Sequence, residues 1–141
     1  MADSGILATV AIVISVFGAA MLFFRIQREL GVTQQNEDIR IPSADWLLIA
    51  ATLTSLVLVI LPIVALGPEL KLVQKVSLGA CSSSTILVAG YILSVLAHYR
   101  LLFGKSRLGA RENPEPAEKL LVRLTIVVSV LLFIFVLIRS K

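Results

Sequence analysis

Four apolar runs, each close to the ~20 residues that a helix needs to cross ~30 Å of hydrocarbon, constrain this chain more than any other feature. They cover Ile6 to Phe24, Trp46 to Leu66, Val76 to Tyr99 and Leu120 to Ile138, with charged connections at 25–45 and 100–119. A water-soluble domain has no use for so much unbroken apolar length. With 57% hydrophobic and only 16% charged residues and a mean hydropathy of +0.95, the composition agrees. The reading is an all-α polytopic membrane protein, a four-transmembrane-helix bundle over residues 1–141, with no separate aqueous core.

The third run is unlike the others. Ala80, Ser83, Leu87, Gly90, Ser94 and Ala97 recur at intervals of three and four, which puts five small residues and one leucine along one seam of a helix. Ser84, Tyr91 and His98 recur every seventh position beside it. The first run has a seam of its own in Ser4, Ala8, Ala11, Ser15 and Gly18, and two such seams let helix backbones approach closely. The expectation is therefore that spans one and three pack together through these seams. The fourth run has no Gly or Ala between Leu120 and Ile138 and offers only Thr125 and Ser129 as uncharged polar groups. It is expected to be outermost.

Punctuation along the chain gives helix limits. Gly31 is expected to end the first helix, because glycine tolerates the left-handed cap conformation. Pro42 and Ser43 announce the second, with Ser43 as N-cap, Asp45 in the first turn where the helix dipole favours a carboxylate, and Trp46 as an interfacial anchor. Pro62 withholds the N–H that would otherwise bond the Leu58 carbonyl, so a kink is expected there. Gly67 and Pro68 break the chain before a third helix expected to run from Pro68 to Phe103, about 54 Å at ~1.5 Å per residue. Lys71, Lys75 and Arg100 would snorkel from its ends. The prolines at 114 and 116 argue against one continuous helix into the fourth span.

Basic residues orient the chain. Arg25, Arg28 and Arg40 follow span one, and Arg100, Lys105, Arg107, Arg111, Lys119 and Arg123 follow span three; only Lys71, Lys75, Arg139 and Lys141 stand at the other flanks. By the positive-inside rule the two longer connections are inside and both termini external. The first run has no basic residues before it and reads as a retained anchor rather than a cleaved leader. The net charge of +4 is explained by topology, so no nucleic-acid partner is inferred. Glu112, Glu115 and Glu118 likewise weaken a case for anionic lipid binding by the inner loop.

Catalytic chemistry finds little support. One cysteine, Cys81, and one histidine exclude an intrachain disulfide and a Cys/His zinc constellation, and there is no GxSxG, HExxH or glycine-rich phosphate loop. No catalytic, cofactor-binding or metal-binding residue is assigned, and no cofactor is implied. No Asp, Glu, Lys or Arg lies deep in a span, where an ion-coupled carrier would hold its cation. Inverted-repeat transporter architecture has no support either.

Polar residues inside the spans leave two candidates. The Leu58 carbonyl freed by Pro62 should lie at the depth of Ser82 to Thr85, which suggests a small outward-opening polar pocket lined by Leu58, Pro62, Ser83 and Ser84, with Tyr91 at its floor. The plainer alternative is that these hydroxyls bond their own helix one turn back or pack against a neighbour. His98 titrates near neutrality and is a candidate pH-sensitive group, against the plainer role of an interfacial side chain. The functional expectation is a small non-enzymatic membrane protein, either a subunit of a membrane complex or a self-associating scaffold, with the lipid bilayer and a homo-oligomeric or membrane-protein partner around it. The alternative is an oligomeric channel or facilitator whose path is lined by the third span.

Overall fold

Asp3 starts the first helix: its Oδ1 accepts the Gly5 N–H at 2.9 Å and so satisfies one of the donors that a helix start leaves open. The computed structural model describes residues 3–33, 43–98 and 115–139, and every regular element among them is helical. Helix one runs Ser4–Thr33. It does not stop at Gly31, which lies within the helix and makes no left-handed cap.

Helix two is one apolar rod in three parts, Asp45–Ser55, a π-helical turn Leu56–Ile60, and Leu61–Leu66. The π turn is the local answer to Pro62. A proline ring collides with the carbonyl four residues back, and widening the turn so that the Leu61 N–H bonds the Leu56 carbonyl five residues back moves the backbone out of that conflict. Gly67 ends the rod at φ +85° and donates its N–H to the Ile63 carbonyl at 3.2 Å.

Helix three starts at Lys71 rather than Pro68 and its described part ends at His98, about 42 Å at ~1.5 Å per residue. Pro68 sits in the turn before it, and its carbonyl accepts from Gln74 Nε2 at 3.0 Å. The expected continuation to Phe103 lies outside the described residues. Helix four runs Glu115–Arg139, so the helix begins ahead of the apolar run and takes Pro116 into its first turn, where a missing N–H costs nothing.

Helix three is the centre of the arrangement. Half of its most apolar window is buried, against 17% for helix four. Its neighbours differ from those expected of the seams. A Cβ on Gly90 would run into the Thr125 side chain of helix four, a Cβ on Gly79 would lie 3.0 Å from the Phe133 ring, and Ser83 bonds Ser129. The seam of helix three is thus filled mainly by helix four, the helix that lacks small residues. Close approach needs a gap on one side only, and the larger side chains of helix four enter it.

Helix one lies against helices two and three. Gly18 admits Thr52 of helix two, and the Leu48 carbonyl lies 3.7 Å from the position of a Cβ there. Ala11 is fully buried in a cluster with Leu7, Val59, Ala80 and Cys81 near one end of the bundle. A second cluster collects Ile14, Ala44, Leu47, Leu48, Ala51, Leu87, Tyr91 and Val122 nearer the other end. Cys81 Sγ donates to the Leu7 carbonyl at 3.4 Å, the one direct polar tie described between helices one and three. Ala8 is half-buried, and Ser94 and Ala97 are buried.

Candidate functional site

The residues expected to form a polar pocket are drawn to different neighbours. Ser83 is buried against helix four, where its hydroxyl pairs with Ser129 Oγ, while Ser129 Oγ also reaches the Ser83 carbonyl at 3.3 Å. Ser84, one position on, is turned about 100° around the helix and is fully buried. Leu58 packs on the cluster of Leu7, Ala11 and Val59, and Pro62 is half-buried. Tyr91 belongs to the second cluster with Leu47 and Leu48. Of the five, Ser83 faces helix four, Leu58 packs on one apolar cluster and Tyr91 belongs to the other. The backbone of His98 closes the described part of helix three, and its side chain lies outside the described residues.

Sequence reading missed a polar cluster at the opposite end. Arg25 Nε of helix one donates to Asp45 Oδ1 at 3.0 Å and Oδ2 at 3.3 Å. Glu118 of helix four is 3% exposed and accepts both the Ser43 hydroxyl at 2.6 Å and the Ala44 N–H at 2.9 Å. Ser43 is therefore not the N-cap of helix two. Ala44 occupies that position with helical φ and ψ and no side-chain cap of its own. The carboxylate comes instead from another helix, and together with Asp45 it sets two negative groups at the positive end of the helix-two dipole. Helices one, two and four are tied together at one point by this arrangement. Only the first-turn position of Asp45 was legible; nothing in the spacing pairs it with Arg25 or brings Glu118 across from residue 118 to residue 44.

Hydroxyls along the helices fall into two groups. Thr9, Ser15, Ser82 and Thr85 each donate to the carbonyl four residues back, at 2.7–2.9 Å. Thr52, Ser55, Ser77, Ser84 and Ser94 are buried at their oxygen and have no protein hydrogen-bond partner. Thr52 Oγ1 occupies the space that a Cβ on Gly18 would take, so it is packed closely on that glycine. The others lie on the inward faces of helices two and three, Ser77 and Ser84 seven residues apart on one stripe.

Fold and site together define an all-helical protein with four helices long and apolar enough to cross a membrane, Ser4–Gln27, Asp45–Leu66, Lys71–Ala97 and Pro116–Arg139. No protein-family model, no curated protein and no solved structure matches the chain.

Proposed function

We propose that the protein is a small non-enzymatic integral membrane protein, a subunit of a membrane complex or a self-associating scaffold. Its four helices cross the bilayer, both termini are external, and the 25–45 and 100–119 connections are inside. The observation that carries this reading is where the polar groups go. Arg25 with Asp45, Glu118 with Ser43 and Ala44, Ser83 with Ser129, and Cys81 with Leu7 all join one helix to another. Outward, helices one and four present large apolar side chains such as Phe24, Val16, Leu131 and Phe135, a surface suited to lipid, a second copy or a membrane-embedded partner. Purification into nanodiscs followed by native mass spectrometry tests it. Recovery as a defined oligomer or with a stoichiometric partner, and no flux from pure protein in liposomes, is the expected result; a lone monomer that conducts would defeat it.

A channel or facilitator is the second reading, favoured by the unpartnered hydroxyls of Ser55, Ser77, Ser84 and Ser94 on helices two and three. These are the groups with which a path lined by the third span would replace a solute's hydration. Flux in liposomes that is lost when Ser77 and Ser84 become valine would establish it.

A further inference from the structure

Ser15, Ser55 and Ser84 come from three different helices and stand at one level. Gly18 packs on Thr52 and Arg25 pairs with Asp45, which fixes the antiparallel register of helices one and two and sets Ser15 level with Ser55. Val59 shares a cluster with Ala80, and Ala51 shares one with Leu87, which sets Ser55 level with Ser84. Each serine also lies one turn from residues of both apolar clusters or of one cluster on the same face: Ser55 from Ala51 and Val59, Ser84 from Ala80 and Leu87, Ser15 from Ala11. The three form a polar layer with an apolar cluster above and another below.

We propose that this layer is an internal hydration site, holding ordered water between helices one, two and three. Ser55 and Ser84 are both 0% exposed and neither hydroxyl has a protein partner. The contrast with their neighbours is informative. Ser82 and Thr85, on the same helix as Ser84, bond back to their own helix, so that escape is open to helix three and Ser84 does not take it. Ser55 and Ser84 do not bond each other either. Ser15 donates to the Ala11 carbonyl at 2.7 Å and keeps lone pairs that can accept. A water bonded to these three hydroxyl oxygens would have a number of partners within the two to four that make a buried water stable. The apolar clusters on either side close the layer to bulk solvent. The inference stands apart from both readings above, since a bundle that conducts nothing can hold a fixed water.

Infrared difference spectroscopy of the full chain in nanodiscs, comparing ordinary with oxygen-18 water, reads the site directly through the isotope-sensitive O–H stretch of weakly bonded internal water. The wild-type band is expected to vanish in Ser55→Ala/Ser84→Ala and to persist in Ser82→Ala, and the double variant is expected to melt lower by roughly 4 °C or more. Absence of the band in the wild type, its survival in the double variant, or a melting temperature that rises on removing the two hydroxyls would overturn the proposal. Should the double variant fail to fold, Ser55→Cys and Ser84→Cys keep the side-chain size while weakening the hydrogen bond, and an unchanged band in both has the same overturning force.

Discussion

Single atoms decide how helix three meets helix four. At Gly90 a methyl group would fall on the Cβ, Oγ1 and Cγ2 of Thr125, a branched side chain fixed close to its own backbone, so the helices themselves must separate. At Gly79 the contact is with the edge of the Phe133 ring at 3.0 and 3.2 Å, which χ rotation can relieve. Gly90→Ala is therefore expected to cost about 1–3 kcal/mol, Gly79→Ala less, and Leu131→Ala on the outward face of helix four close to nothing, by denaturation in mild detergent. Equal stability of the Gly90 and Leu131 variants would contradict the assignment. Glu118→Ala leaves the Ser43 hydroxyl and Ala44 N–H without their acceptor and is expected to cost roughly 1–3 kcal/mol, with Glu118→Gln recovering part of it through its remaining carbonyl oxygen. Residue chemistry of this kind was only half legible in the sequence. A glycine at seam spacing announces a close approach but carries no mark of its partner, and Thr125, which read as one of two polar atoms on an outer helix, turned out to occupy the gap.

Helix two shows how an element absorbs a local conflict. Pro62 was expected to produce a kink that left the Leu58 carbonyl for neighbours to satisfy, and the chain inserts a π turn over Leu56–Ile60 instead. The difference is physical: a π turn spreads the mismatch over five residues of the same helix, whereas a sharp break needs polar help in an apolar core. With Pro62→Ala the N–H returns, Leu58 regains an ordinary partner, and the turn is expected to anneal to α-helix. Amide exchange reports it, with slower exchange at residues 60–63; unchanged protection would mean that packing rather than proline imposes the π geometry. The two ends of this element were read with unequal success. Gly67 was identified as the stop because only glycine adopts its φ cheaply, while the N-terminal cap was assigned to Ser43 since a carboxylate arriving from helix four leaves no local trace.

At the scale of the whole molecule, the existence and number of the helices followed from apolar length, and their neighbours did not. Length is a property of one segment, but packing depends on pairs of surfaces, and four segments rich in Val, Ile and Leu offer many nearly equal pairings. Orientation is a separate question, carried by the distribution of basic residues along the sequence. Arg25, Asp45 and Glu118 gather at one end of the bundle, where the Arg25 guanidinium is paired with the Asp45 carboxylate. The positive-inside bias counts Lys and Arg rather than net charge, so the pairing does not remove Arg25 from the count, and in the sequence nine basic residues lie in or beside the 25–45 and 100–119 connections against four elsewhere. Both termini are therefore expected outside. With Cys81 replaced by serine, Ser4→Cys and Ser140→Cys should react with a membrane-impermeant maleimide in intact cells, while a cysteine at Ser106 should react only after permeabilisation. The three positions test one another: labelling of Ser106→Cys from outside with protection of both ends would invert the topology, and protection of a single terminus would mean that one of the four apolar helices does not cross.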